Sequence, residues 1–265
     1  MKILYCLFAR TGDICCGIPT YLALREKYPN DELTWVTLKK HIPIVPKCGN
    51  VIAFGDGFGS LPPFHKEYDK VFFPQPSWHH RRWEKSKKHA IEFIADFCEV
   101  KLKSRSIEIE ITREHKHSML KKLPKLPERP FVTICSSPCY SCSNWPIPYR
   151  RQLVRLLRDR RVNVVTVGGK DGKDIPGAYS AHGKLNFLET IALINRSKVY
   201  IGPDTGTTWL ACAAHKTSKV CLIDRGRLRT GVVGFGNVLS DDNITDSFYN
   251  DGIDKHLKLV MRAYK

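Results

Sequence analysis

The chain has 265 residues, is 42% hydrophobic and 26% charged, and carries a formal net charge of +17 at pH 7. This composition is globular, and no apolar run approaches the ~18 residues that a bilayer-spanning helix requires. The excess charge is spread along the chain, +8 over residues 1–130 and +9 over 131–265. Such a field favours an anionic partner: nucleic acid, an anionic membrane surface or a phosphorylated substrate. The opening MKILYCLFARTGD has only about seven apolar residues before Arg10 and Asp13 and no small-residue cleavage site, so it reads as a first strand rather than a signal. The expected location is cytoplasmic, with peripheral contact at the inner membrane face as an option. Ten cysteines in a chain of this size, several in apolar runs, read as buried thiols rather than a disulfide framework.

In chain order, residues 3–9 read as a strand, RTGD as a turn, residues 14–30 as a helix and residues 33–38 as a second strand. That is a βαβ unit of the parallel α/β kind. Short strand candidates follow at 51–54 and 70–73, and a helical apolar period at 89–100. The stretch KKLPKLPERP at 121–130 is the best linker candidate. Beyond it the alternation restarts, with strands at 131–135, 162–169, 198–202 and 219–223 and helices at 149–160, 187–197 and 207–215. The expected organisation is two α/β domains, 1–125 and 126–265, with ligands at the carboxyl ends of strands. Thr11-Gly12-Asp13 and Asp204-Thr205-Gly206 both fall at such ends.

Asp204-Thr205-Gly206 is shared with aspartic proteases, but that chemistry needs an all-β fold and a second aspartate loop, and no second Asp-Thr-Gly exists. Here the motif leads into a helix of small apolar residues. Gly206 permits close backbone approach, and Thr205, Thr207 and Thr208 place hydroxyls beside unpaired helix N–H groups, a cradle for phosphate. The alternative is that Asp204 or Thr207 simply caps a buried helix. The spacing Cys135-x3-Cys139-x2-Cys142 matches the iron–sulfur triad of radical enzymes, and Gly168-Gly169 even matches their glycine pair. The residues that remain are a tight fit for the β/α barrel such chemistry uses and the N-terminal half would have no role, so these cysteines are expected to hold neither cluster nor metal. A zinc site lacks a fourth ligand other than His182. Gly55-Asp-Gly57-Phe-Gly59 is followed by Ser60 and no helix, which excludes the dinucleotide fingerprint. His79-His80-Arg81-Arg82-Trp83, with Lys85, Lys87 and Lys88, is a basic run able to contact phosphates of an acceptor.

Taken together, three stretches resemble glycosyltransferase family 9, the heptosyltransferases of lipopolysaccharide core. They are MKILYCLFARTGDICCGIPTYLALREKYPNDELTWVT, NWPIPYRRQLVRLLRDRRVNVVTVGG and KVYIGPDTGTTWLACAAHKTSKVCLI. The resemblance implies a GT-B architecture: two Rossmann-like domains facing a cleft, acceptor on the first and nucleotide-sugar on the second. It implies an inverting, metal-independent enzyme that needs no cofactor beyond a nucleotide-diphosphate-sugar donor. Asp13 matches the family's general base, which takes the proton of an acceptor hydroxyl as it attacks the anomeric carbon. Ser136, Ser137, Gly168, Gly169, Asp204, Thr205, Gly206, Thr207 and Trp209 are assigned to the donor. Arg10, Thr11, Gly12, Arg81, Arg82, Lys85, Lys87 and Lys88 are assigned to the acceptor side.

The chain departs from the family pattern at three places. Trp209 stands where the family has His, Ser143-Asn144 stand where Lys or Arg precedes Trp-Pro, and the N-terminal half is short. The expected activity is transfer of a sugar to a hydroxyl of an anionic acceptor, a lipopolysaccharide-type or other bacterial surface glycan. The alternatives are the same chemistry on hydroxymethylated bases of phage-type DNA, and a non-catalytic binding module that kept the fold.

Overall fold

The computed structural model describes residues 1–55, 61–75, 85–86, 88–137, 145–223, 242–248 and 251–265. It divides into two compact units, the first running over Met1–Glu110 and the second taking the described residues from Ile111 onward.

In the first unit, β1 (Lys2–Cys6), β2 (Glu32–Thr37), β3 (Asn50–Ala53) and β4 (Lys70–Phe72) form a sheet in the order β3-β2-β1-β4. Every described pairing in it is parallel. β1 is central and buried on both faces, as a parallel strand between two layers must be. Leu4, Cys6 and Phe8 point into a cluster with Val36 and Leu38, ringed by Ile52, Phe54, Phe64 and Phe73. The opposite face carries Tyr5, whose ring meets Trp35 edge-on at 4.9 Å and stacks near Tyr21 at 5.9 Å. Tyr21 belongs to α1 (Thr11–Lys27), which lies on that face. The Tyr5 hydroxyl donates to the Gly17 carbonyl at 3.2 Å, which holds helix to strand. α2 (Ala90–Phe97) packs on α1, so α1 is covered on two sides and carries few charges before Arg25.

The second unit opens with α3 (Arg113–Lys122), ahead of the proline-rich stretch. Its sheet contains β5 (Phe131–Cys135), β6 (Asn163–Val167), β7 (Tyr179–Ser180), β8 (Val199–Pro203), β9 (Ser218–Ile223) and β10 (Ile244–Phe248). The order is β10-β9-β8-β5-β6-β7, and every described pairing is again parallel. α4 (Ile147–Asp159), α5 (Phe187–Arg196), α6 (Gly206–Cys212) and α7 (Ile253–Tyr264) are the connecting and closing helices. The core joins Val132 and Ile134 of β5, Leu153, Val154 and Leu157 of α4, Val199 and Ile201 of β8, and Val260 of α7.

The stretch 121–130, read from the sequence as a linker, is anchored rather than loose. Leu123 and Leu126 are buried, and α3 is tied to α5 through Glu189. That buried carboxylate accepts from Ser118 at 2.6 Å, from Lys122 at 2.7 Å and from the Asn186 amide at 2.8 Å. Burial pushes the Glu189 carboxyl up, but the hydrogen bonds from Lys122 and Ser118 outweigh it and hold the group below its ordinary value.

Element limits differ from the sequence expectation mainly at helix starts. RTGD is not a separate turn: α1 begins at Thr11, because Asp13 at its third position accepts the Arg10 amide at 3.1 Å and caps the first turn. The helix after Asp204 is seven residues, ending at Cys212 rather than His215. The helix Arg113–Lys122, the edge strands β7 and β10 and the closing helix α7 are additions to the predicted set.

Candidate functional site

Three loops of the second unit converge because the strands they leave are neighbours. β5 lies between β8 and β6, all three parallel, so their carboxyl ends share one edge of the sheet. Ser136-Ser137 follow β5, Gly168-Gly169 follow β6, and Asp204-Thr205-Gly206 follow β8. The Ser137 hydroxyl accepts the Gly169 amide at 2.7 Å, and Ser136 N–H donates to the Val167 carbonyl at 2.8 Å. Gly168 has φ +151°, and a Cβ there would run into the Ser137 hydroxyl and come to 3.0 Å from the Ser137 backbone nitrogen. Glycine at 168 is therefore what lets the two loops close on each other. On the other side, the Cys135 sulfur lies 3.6 Å from the Thr205 hydroxyl.

Around α6 the capping residue is Thr205, not Asp204 or Thr207. Its hydroxyl accepts the Thr208 amide at 3.4 Å, and its carbonyl accepts the Trp209 amide at 3.1 Å. Gly206 and Thr207 precede that first intrahelical bond, so their amides have no partner within the helix. Burial changes at the start of the helix: Asp204–Thr207 are half-buried, while every residue from Thr208 to Ala214 is buried. This explains why the helix carries no charge. The Thr208 hydroxyl is consumed inside, donating to the Pro203 carbonyl and sharing a 2.8 Å hydrogen bond with the Tyr200 hydroxyl.

Trp209 is 7% exposed, and its indole N–H donates to Asp204 Oδ1 at 3.1 Å. An indole thus supplies an N–H to the carboxylate at the mouth of the turn. Trp209→Phe, which keeps the ring bulk and loses the donor, should weaken nucleotide-sugar binding by about 10-fold, the loss of one charge-assisted bond. Trp209→His should recover most of that. Calorimetry on the two variants checks both values, and a Phe variant binding like wild type would remove the N–H from any role.

Sequence reading missed Arg150, which sits in a run of arginines that looks solvated. It is 4% exposed. Its Nε donates to the Trp145 carbonyl at 3.0 Å and its Nη1 to the Ser136 and Ser137 carbonyls at 2.8 and 3.4 Å. The guanidinium also lies 5.4 Å from the Trp145 ring centroid, a cation–π distance. Trp145 of the Trp-Pro pair is a core residue, held between Arg150 and the edge of His256. A buried cation therefore ties together the loop after β5 and the start of α4.

In the first unit, Arg10, Thr11, Gly12 and Asp13 form the N-terminus of α1, at the carboxyl end of β1. The Thr11 hydroxyl is 3.2 Å from Nε2 of His41, a second residue that sequence reading missed. His41 is fully buried, and burial, with Lys40 adding to it, lowers its pKa to about 4. It is neutral at pH 7 and positions Thr11 without adding charge.

The shift has a sign consequence for stability. With the folded value near 4 and an ordinary value of 6.5, the unfolded chain binds more protons between those limits. Stability is then complete above pH 6.5 and is lost as pH falls towards 4, by about 3 kcal/mol. His256, also lowered by burial, acts in the same direction. Denaturant unfolding should show about 2 kcal/mol of this loss between pH 7 and pH 5, and His41→Gln should flatten it without abolishing it.

Of the basic run, Lys85 is exposed and Lys88 pairs with Asp96, while Arg81, Arg82 and Lys87 lie outside the described residues. Cys139 and Cys142 also lie outside them. Cys135 is fully buried. Among the described residues no group of three or more His, Cys, Asp or Glu is arranged to hold a metal, and no helix is long and apolar enough to cross a membrane.

The sequence matches glycosyltransferase family 9 (heptosyltransferase) over residues 70–222, a span that includes the three loops of the second unit and excludes Asp13. No curated protein matches it. Among solved structures it is similar to the E. coli ADP-heptose lipopolysaccharide heptosyltransferase II, with 13% identity and a TM-score of 0.74, covering 100% of this chain and 98% of that one. It is similar to the family 9 glycosyltransferase of Veillonella parvula, with 12% identity and a TM-score of 0.69, covering 99% and 97%. A third is E. coli heptosyltransferase WaaC with ADP-2-deoxy-2-fluoro heptose, with 13% identity and a TM-score of 0.58, covering 100% of both chains. Two parallel α/β units in this order make the GT-B fold of these structures, and the family match spans more than half of the sequence: the chain belongs to glycosyltransferase family 9 and is a glycosyltransferase.

Proposed function

We propose that this enzyme moves a sugar from a nucleotide-diphosphate-sugar to a hydroxyl of an anionic bacterial surface glycan, with inversion and without a metal. The observation that carries the reading is the meeting of three loops at the carboxyl ends of β6, β5 and β8. Together they offer the Ser137 hydroxyl, the closely approachable Gly168-Gly169 backbone, and the first-turn amides of Gly206 and Thr207 beside the Thr205 hydroxyl, while the Ser136 hydroxyl donates inward to the Val167 carbonyl at 3.3 Å. Fixed N–H and O–H donors of this kind stabilise the charge that builds on a departing diphosphate, and they need no reorganisation to do so. Asp204, held by Trp209, accepts from hydroxyls of the donor.

Asp13 acts at the other reactant. It takes the proton of the acceptor hydroxyl while the new bond to the anomeric carbon forms and the carbon–phosphate oxygen bond breaks. The leaving nucleoside diphosphate departs with the electron pair. Capping fixes the Asp13 carboxylate through Oδ2, and neutral His41 fixes the neighbouring Thr11. The net charge of +17 supports an anionic acceptor.

The test is release of nucleoside diphosphate from a panel of nucleotide-sugars, with phosphorylated surface glycan or hydroxymethylated DNA as acceptor. The reading requires glycan-dependent release above the rate of hydrolysis by water. DNA-dependent release alone would transfer the chemistry to nucleic acid, and release with neither acceptor from any donor would overturn the assignment.

A further inference from the structure

The exposed flank of α4 carries a feature that the donor loops do not use. Arg151, Arg155 and Arg158 are exposed and recur at i, i+4 and i+7, so they lie within about 60° of one another around the helix and span roughly 10 Å along it. With Asp159, Pro176 and Gly177 they line a groove of about 520 Å³. Among the described residues none of the three guanidiniums pairs with a carboxylate. Gly177 has φ +88°, and a Cβ there would lie 2.6 Å from Arg158 Nη1 and 2.8 Å from its Cδ. The bare glycine backbone is the bed on which the Arg158 side chain rests, which holds that guanidinium in place.

We propose that this groove is a second binding site, for a phosphorylated sugar, and that it holds a phosphate-bearing residue of the acceptor glycan away from the reacting hydroxyl. Its volume is that of a small-ligand site. Three guanidiniums offer forked donors to a phosphate, and the Asp159 carboxylate accepts from sugar hydroxyls. That carboxylate argues against a track for a continuous polyanion, which it would repel. No aromatic ring lines the groove, so it offers nucleic acid no stacking platform. No large apolar side chain lines it either, so it offers a bilayer no insertion.

The inference rests on the glycan-acceptor reading, and the test separates the two. Glucose 1-phosphate, glucose, phosphatidylglycerol vesicles and a single-stranded oligonucleotide are titrated against wild type, the R151E/R155E double variant and Gly177→Ala, with nucleoside diphosphate binding measured on all three. The expected result is that glucose 1-phosphate binds wild type and glucose does not. The double variant should weaken that binding about 10-fold or more, and Gly177→Ala should weaken it by displacing Arg158. Nucleoside diphosphate affinity should stay unchanged, since neither variant touches the donor loops. Glucose 1-phosphate binding equally to wild type and double variant, or not at all at ~10 mM, overturns the groove while leaving the donor site standing. Arginine-dependent retention of the vesicles or the oligonucleotide in preference to glucose 1-phosphate overturns it as well. A wild type that binds glucose 1-phosphate through these arginines but no nucleoside diphosphate keeps the groove and removes the donor assignment.

Discussion

Asp13→Asn should lower kcat by about 10²- to 10⁴-fold and leave nucleotide-sugar affinity within about a factor of two. The side chain stays the same size. An amide oxygen can still accept the Arg10 N–H that caps α1, at 3.1 Å in the native protein, so the helix start survives. On the proposed mechanism, what is lost is only the ability to receive a proton as the acceptor hydroxyl attacks, and that loss appears in the chemical step. The loops proposed to hold the donor lie in the second unit and do not include this residue. Steady-state kinetics with calorimetry on the same protein separates the two quantities. Near-normal turnover would leave Asp13 as a capping residue alone, and a parallel loss of affinity would place it among donor contacts.

Arg150→Met should have the largest effect on folding, about 3 kcal/mol of stability, together with a loss of donor affinity of 10-fold or more. Three carbonyls depend on its donors: Trp145 on Nε, and Ser136 and Ser137 on Nη1. Methionine fills much of the volume but leaves those buried acceptors without a partner, and it removes the cation over the Trp145 ring. The Ser136-Ser137 loop would then lose its tether, and with it the Ser137 acceptor that receives the Gly169 amide. Arg150→Lys should retain part of the stability and less of the affinity, since one ammonium cannot reproduce the fork that spans Trp145 and Ser136. Denaturant midpoints compared with nucleotide affinities across the two variants check this. Unchanged affinity in a destabilised Met variant would confine Arg150 to the core.

Much of the architecture was legible in the sequence because parallel strands buried on both faces are unbroken apolar runs with sharp ends. FVTIC, bounded by Pro130 and Ser136, coincides with β5 at both limits. The small-residue helix after Asp204-Thr205-Gly206 announced its burial by having no charge, and the structure buries it from Thr208 onward. The convergence of the loops after β5, β6 and β8 was legible less directly. Ser137 meets Gly169 only because β5 and β6 are neighbours, a fact of strand order that no local pattern carries.

The misses share a cause. Arg150 and Glu189 are charged residues that read as solvated until their partners are brought up by tertiary packing. His41, in a short 3-10 helix, gives no periodic signal, and its environment comes from a buried contact with α1, thirty positions away in sequence. The cap is Thr205 and neither of the two residues read from the sequence, Asp204 and Thr207, because spacing leaves neighbouring hydroxyls and carboxylates equivalent. Backbone geometry decided among them.

The central claim, that the loops after β5, β6 and β8 form the nucleotide-sugar site, is tested most directly by amide hydrogen exchange with and without saturating nucleoside diphosphate. The account predicts slowed exchange at Ser136-Ser137, Gly168-Gly169 and Gly206-Thr207, with the arginine groove of α4 unchanged. Protection confined to other segments, or none at a nucleoside diphosphate concentration that fully inhibits turnover, would contradict it.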